Sequence, residues 1–205
     1  MAKQIAHEIK NPLTPMRLSV QNFQRRFSPD DPQCSEKVAD FTQMLLQHID
    51  TLSDISDAFS SFVSMPPQKK ERTDLNAIIR HAIAIFDLPY IRFESKQEQI
   101  CLWVDKNQMN RMLTNLLKNA IYATDNIPDP LIEVTTYVTD DFAYIVVKDN
   151  GSGVPPELQE RIFEPKFTTK NTAGSGLGLT MVKHIINAHG GTITLNSEVG
   201  KGATF

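Results

Sequence analysis

The first sixty or so residues carry apolar side chains at alternating spacings of three and four. Ile9, Met16 and Phe23 recur every seven residues, as do Leu13, Val20 and Phe27. This is the seam of a helix that packs along another helix. In a second run, Val38, Leu45, Leu52 and Phe59 form one heptad series, with Phe41, Ile49, Ile55 and Phe62 beside it. Ser28-Pro29-Asp30-Asp31-Pro32 breaks the pattern between the two, as a loop joining antiparallel helices does. Residues 1–65 are therefore predicted to form an all-α helical hairpin. Two helices alone cannot enclose their apolar stripe, so the pattern predicts a homodimer through residues 1–65 that forms a four-helix bundle. The competing arrangement packs the hairpin on the C-terminal half of its own chain.

Beyond this point the period changes. Residues 66–72, Pro-Pro-Gln-Lys-Lys-Glu-Arg, are polar and read as a linker. Thr73 or Asp74 can cap a helix running to about Asp87, with Leu75, Ile78, Ile79, Ala82, Ile83 and Phe86 on its buried face. Short strands are predicted over 91–94 and 100–104. Asp105 then caps a long helix whose core face is Met109, Met112, Leu113, Leu116, Leu117 and Ala120. Strands over 131–138 and 142–148 follow, then a helix over 177–189 that stops at Gly190-Gly191. A strand over 192–196 leads to a turn at Gly200-Lys201-Gly202. Helices against one mixed sheet make residues 73–205 an α/β two-layer sandwich. Both ends read as cut: His7 sits just inside a helix, and Ala203-Thr204-Phe205 begins a strand that stops at once.

Composition narrows the classes. The chain has 205 residues and a formal charge of −3. The longest apolar run, 142–147, is far too short for a membrane span, and Met1–Met16 carries His7, Glu8 and Lys10 where a signal peptide would be apolar. A slightly acidic chain without a basic tract is a poor partner for duplex nucleic acid. Cys34 and Cys101 are isolated and fit no metal spacing, which suits a reducing cytoplasm. All nine glycines fall between Gly151 and Gly202, so the unusual backbone demands sit in the last quarter of the chain.

Candidate chemistry lies there and on the long helix. Asn115 and Asn119 are four apart and emerge from one face; an asparagine oxygen is a hard ligand suited to Mg²⁺. Asp149-Asn150-Gly151-Ser152-Gly153 follows a strand directly. By itself this is a turn, but it also offers a carboxylate to an exocyclic amine, with glycines that let a flat base approach the backbone. Gly174-Ser175-Gly176-Leu177-Gly178 opens a helix, and exposed N–H groups at such a start attract anions. Between the two glycine clusters, residues 164–173 are polar and include Lys170, the make-up of a lid with a cation for phosphate.

Taken together, Asn115-Leu116-Leu117-Lys118-Asn119-Ala120, Asp149-x-Gly151-x-Gly153, Phe163-Glu164-Pro165-Lys166-Phe167 and Gly174-x-Gly176-x-Gly178 resemble, in order and spacing, the N, G1, F and G2 boxes of histidine kinases. Those boxes belong to the GHKL (Bergerat) nucleotide-binding fold. His7-Glu8-Ile9-Lys10-Asn11-Pro12-Leu13 resembles the H box that carries the phosphoacceptor histidine. The form Ile5-Ala6-His7-Glu8-Ile9-Lys10-Asn11-Pro12-Leu13-Thr14-Pro15 is similar to sensors of the NtrB/NtrY nitrogen-regulation type.

The resemblance implies ATP and Mg²⁺ as cofactors. It also implies autophosphorylation of His7, with transfer to an aspartate on a response-regulator receiver domain, of the NtrC type if the subfamily holds. It makes His7 the nucleophile, Glu8 the neighbouring base and Asn11 the residue that places water for a phosphatase activity toward the partner. His7 lies off the apolar seam, so its ring is expected to face solvent, largely neutral near pH 7. Asn119 becomes the Mg²⁺ ligand with Asn115 beside it. Asp149 becomes the partner of the adenine amine, with Gly151 and Gly153 shaping the pocket. Gly174, Gly176 and Gly178 wrap the phosphates, aided by Lys170. Tyr122 and Ala123 stand where many members carry a basic residue and an aromatic, and Lys166 where an aromatic is common, so no phosphate contact is assigned to Tyr122 or Lys166. His48, His81, His184 and His189 are read as structural.

Two other classes were weighed. A GHKL-type ATPase carries a glutamate, as water-activating base, where this chain has Asn115. A non-catalytic nucleotide-binding dimeric scaffold would not need His7, Asn119, Asp149 and the G2 glycines intact. No direct contact with nucleic acid or membrane is expected of these residues, and their compartment is read as the cytoplasm, with anchorage of the parent protein in the inner membrane left open. Pro12 removes a helix hydrogen bond to the Glu8 carbonyl and loosens α-helical structure beside His7. Replacing Pro12 by Ala is expected to shift the ratio of His7 phosphorylation to partner dephosphorylation; unchanged rates for both would refute that role.

Overall fold

A computed structural model of the chain describes the backbone of residues 2–28, 33–63, 68–165, 167–168 and 176–205. Side chains are described for the same residues apart from 2–12, 26, 47, 50, 51 and 53–63. The chain divides into two compact units, one comprising Met1–Met65 with Lys166–Leu177, the other Pro66–Pro165 with Gly178–Phe205.

The first unit holds α1 (Ala2–Arg26) and α2 (Cys34–Val63), the two helices that the heptads predict. Phe23 of α1 stacks on Phe41 of α2, with ring centroids 4.1 Å apart and planes within 7°. Phe27 closes on Phe23 at 5.3 Å. Both contacts use residues of the predicted seams. The pairing leaves much of the stripe uncovered: Leu13, Val20, Phe27, Val38 and Ile49 remain exposed in the single chain. The seam residues Ile9, Ile55, Phe59 and Phe62 lie outside the described side chains.

The second unit is the expected sandwich. In order it contains β1 (Glu71–Asp74), α3 (Leu75–Ala84), β2 (Ile91–Ser95), β3 (Cys101–Val104), α4 (Lys106–Thr124), β4 (Ile132–Thr139), β5 (Phe142–Asp149), α5 (Gly178–Ala188), β6 (Asn196–Glu198) and β7 (Gly202–Thr204). The main sheet has the order β2-β4-β5-β7-β6. β2 runs parallel to β4 and the other pairs are antiparallel, in a register that sets Ile132 opposite Asp149 and Thr139 opposite Phe142. One face of β4 and β5, with Ile132, Val134, Thr136, Val147 and Asp149, is buried. The core against it comes from Leu75, Ile78, Ile79 and Ala82 of α3, from Val182 and Ile185 of α5, and from the α4 stripe that the pattern predicts. Among the described residues, no helix is long and apolar enough to cross a membrane.

Caps form where the sequence places them. Asp74 accepts from Asn76 N and Asp105 from Asn107 N and Gln108 N. α5 ends in a Schellman turn: Gly190 takes φ of 79°, its N–H reaches Asn187 O, and Gly191 N–H reaches Ile186 O. Three expectations are corrected. Glu71 and Arg72, read as linker, pair with Val104 and Trp103 in the two-stranded β1-β3 ladder, and Gln68 and Lys69 are bonded to the same unit. α3 stops at Ala84 rather than near Asp87. The strand expected over 192–196 forms instead at Asn196–Glu198, because only there does β7 supply a partner ladder.

One buried polar cluster holds the loop between β2 and β3. Asn76 is fully buried, and its amide donates to Ser95 Oγ (3.0 Å), Gln97 O (3.0 Å) and Glu98 O (3.2 Å) while accepting from Thr136 Oγ1 at 2.8 Å. Asn76→Ala leaves those partners unpaired away from water, so urea unfolding is expected to show a loss of about 2–4 kcal/mol.

Candidate nucleotide site

Asp149 ends β5 on the buried face of the sheet and is only 4% exposed. Its Oδ1 accepts from Gly151 N at 2.9 Å and from Ala203 N at 3.3 Å. Among the described residues, none donates to Oδ2. Burial pushes the carboxyl above the ordinary aspartate value, and the two backbone N–H groups pull part of the way back. The result is a buried carboxylate with one oxygen anchored by two main-chain donors.

The turn after Asp149 depends on absent side chains. A Cβ on Gly151 would lie 2.5 Å from the Ala123 carbonyl oxygen, which also accepts from Ser152 N at 3.0 Å. Gly153 has φ of 70°, and a Cβ there would run into the Glu198 carbonyl. The β6–β7 hairpin is thus pressed against the turn. Gly200 N donates to Ser152 O at 2.8 Å, and Ser197 Oγ accepts from Val154 N (2.8 Å) and donates to Gly202 O (2.7 Å). Gly202, read above as a turn residue, proves to be the first residue of β7, with φ of 98°. A Cβ there would collide with the Asp149 carbonyl.

α4 joins this turn to the second glycine cluster. Asn115 and Asn119 share one half-buried face. Asn115 Nδ2 donates to Arg111 O at 2.8 Å, and Asn115 Oδ1 sits 3.0 Å from where a Cβ of Gly178 would stand. The first residue of α5 is therefore tight against the asparagine. Asn119 makes no side-chain hydrogen bond to a described residue. Eight residues, about 12 Å of helix, separate Asn115 beside Gly178 from Ala123 beside Gly151. Gly176 takes φ of 65°, a conformation suited to glycine. Gly174, Lys170 and Lys166 lie outside the described residues. His7, Glu8 and Asn11 are on α1, with side chains outside the described ones.

The donor set fits a Mg²⁺ held mostly by phosphate. Asparagine amides supply hard oxygens, and no group of three or more His, Cys, Asp or Glu capable of holding a metal occurs among the described residues. The Ala203 amide, the Ala123 carbonyl and Ser197 escaped the sequence reading. Two are main-chain groups that any residue would present, and a lone serine in a polar stretch carries no signal.

Residues 104–205 match the family described as histidine kinase-, DNA gyrase B- and HSP90-like ATPases, and residues 1–64 match the His kinase A phospho-acceptor domain. The solved catalytic domain of histidine kinase ThkA is 31% identical, with a TM-score of 0.60, over 67% of this chain and 93% of that one. The chain belongs to the histidine kinases. Among full-length relatives of this kinase, an NtrY-like sensor histidine kinase from Rickettsia conorii is 34% identical over 207 residues, which is 99% of this chain and 34% of the relative. The nitrogen regulation protein NtrY of Azorhizobium caulinodans is 34% identical over 212 residues, 99% of this chain and 27% of that one. This kinase chain therefore spans about a third of the length of the named relatives it matches. ThkA in complex with the response regulator TrrA aligns over 100% of this chain and 59% of that one, at 25% identity and a TM-score of 0.71.

Asp149→Asn separates ligand binding from stability. A carboxylate pKa raised in the fold costs stability that begins to appear as pH rises through the ordinary value and is complete above the raised one. The variant is therefore expected to melt at the same or a higher temperature at pH 7. Asn can still accept the two backbone N–H groups, but it presents an NH₂ where Oδ2 stood, so ATP affinity is expected to fall more than about tenfold. In the unaltered protein, ATP affinity should weaken as pH falls through the raised pKa, above the ordinary aspartate range near ~3.9. Calorimetric titration against pH reads both.

Proposed function

We propose that this chain transfers the γ-phosphoryl group of ATP to His7 and then to an aspartate on a response-regulator receiver domain. The observation that carries the reading is Asp149: a buried carboxylate anchored through Oδ1, whose Oδ2 receives no donor among the described residues, at a turn whose glycines bring the backbone close. A site that accepts an exocyclic amine in a narrow slot suits adenine. The matching phospho-acceptor family over residues 1–64 supports an acceptor on the same chain.

In this mechanism Asp149 accepts the adenine amine, with Gly151 and Gly153 leaving room for the ring. Gly174, Gly176 and Gly178 offer main-chain N–H groups to the phosphates, with Lys170 as an added cation. Asn119 would hold Mg²⁺, with Asn115 beside it near the phosphates, and the ion would supply neutralisation of charge there. A ring nitrogen of His7 attacks the γ-phosphorus, the bond to the β–γ bridging oxygen breaks and ADP leaves. Glu8 takes the proton from the other ring nitrogen. The phosphoryl group next passes to a carboxylate oxygen of the receiver aspartate. Asn11, one turn from His7, places water for the reverse control, hydrolysis of the phosphorylated partner.

The exposed seam residues Leu13, Val20, Phe27, Val38 and Ile49 support a homodimer through residues 1–65. The ThkA–TrrA complex supports a receiver domain as partner, and the NtrY-like relatives support one of the NtrC type. We place the reaction in the cytoplasm, where ATP is supplied. Incubation with γ-labelled ATP and Mg²⁺ is expected to give an acid-labile, alkali-stable label that His7→Gln abolishes. Steady release of phosphate without protein label would sink the kinase reading in favour of an ATPase.

A further inference from the structure

Asp105 is engaged through three of its polar groups. Oδ1 caps α4, accepting from Asn107 N (3.0 Å) and Gln108 N (3.1 Å). Oδ2 accepts from Lys69 N at 3.0 Å. Its own N–H donates to His189 Nε2 at 3.1 Å. His189 Nδ1 lies 2.8 Å from Ile185 O. A carbonyl only accepts, so Nδ1 carries the hydrogen and Nε2 is the free acceptor. This neutral tautomer is assigned from its partners. Beside it, Gln68 Nε2 donates to Ala188 O (3.3 Å), a carbonyl at the end of α5, and to Gln108 Oε1 (3.4 Å). Directly after these two residues, Glu71–Asp74 pairs with Cys101–Val104, the strand that leads into Asp105.

The segment that sequence reads as a seven-residue linker is therefore held from Gln68 onward by the start of α4 and the end of α5. Neither family match includes residues 65–103, so the fastening lies at the edge of what the comparisons cover.

We propose that Gln68, Lys69, Asp105, Gln108 and His189 form a clasp that fixes where the chain enters the nucleotide unit, and that Asp105 and His189 are positioning residues for phosphoryl transfer to His7. The inference rests on the kinase reading above. The clasp ties that point of entry to the N-terminus of α4, the helix that carries Asn115 and Asn119. With the clasp open, the chain is held to the nucleotide unit only from Glu71 onward, by the β1-β3 ladder.

Asp105→Asn combined with Gln68→Ala tests this on the 205-residue chain. Asn caps helices about as well as Asp, so the start of α4 is retained, but its NH₂ cannot accept the Lys69 N–H. Amide hydrogen exchange at Lys69 is expected to speed up. Affinity for a non-hydrolysable ATP analogue should stay within about twofold, while the rate of His7 labelling falls at least about fivefold, a coupling of ordinary size. His189→Gln, whose side-chain oxygen can accept the Asp105 N–H, should keep the labelling rate better than His189→Leu. Unchanged labelling despite faster Lys69 exchange would overturn the positioning role, and so would a parallel loss of ATP-analogue affinity. Unchanged Lys69 exchange would overturn the clasp itself. If no version were labelled but Lys69 protection still depended on Asp105, the kinase reading would fail and the clasp would stand.

Discussion

A carboxylate buried at the end of an inner strand is the constraint around which the nucleotide unit is built. An ionised group taken out of water needs hydrogen-bond donors at once. Asp149 takes one from Gly151, two residues on, and one from Ala203, 54 positions later. The second donor obliges β7 to lie beside β5 and the β6–β7 hairpin to close on the turn after Asp149. That closure is so tight that glycine stands at both sides of it, at Gly153 against Glu198 and at Gly202 against Asp149. The chain bears the cost of burying a charge, visible as a raised pKa, and the two main-chain donors offset part of it.

α4 distributes the consequences. Its first residues are gripped by Asp105, its middle presents Asn115 against the start of α5, and its end supplies the Ala123 carbonyl to the glycine turn. A helix with Met109, Met112, Leu113, Leu116, Leu117 and Ala120 sunk in the core cannot move one of these points without the others. The attachment of Gln68 and Lys69, the asparagine pair and the glycine turn after Asp149 are thereby tied to one rigid rod.

Much of this was legible beforehand. Heptads locate both helices of the hairpin, and the stripe on α4 is buried residue for residue. Asp74 and Asp105 cap as their positions suggest, and the four motifs of the nucleotide unit name the family. The errors share a cause. Glu71-Arg72-Thr73-Asp74 has no apolar alternation, and it becomes a strand only because Cys101–Val104 pairs with it. Residues 192–195 have the β-branched and apolar make-up of a strand, yet β6 forms one step later, where β7 offers a ladder. Gly202 looks like a turn residue by neighbourhood, whereas its role is set by a carbonyl from another strand.

By itself, the sequence determined which stretches are helical, which face of each is buried, where the backbone needs glycine and to which family the chain belongs. Each of these is written in local periodicity, capping chemistry or a short motif. Only the tertiary structure decided that Ala203 anchors Asp149, that burial lifts the Asp149 pKa, and that His189 receives the Asp105 N–H from 84 positions away. Those pairings join main-chain groups that every residue carries. No side-chain code marks them, and they exist only once the sheet and the helix ends have closed.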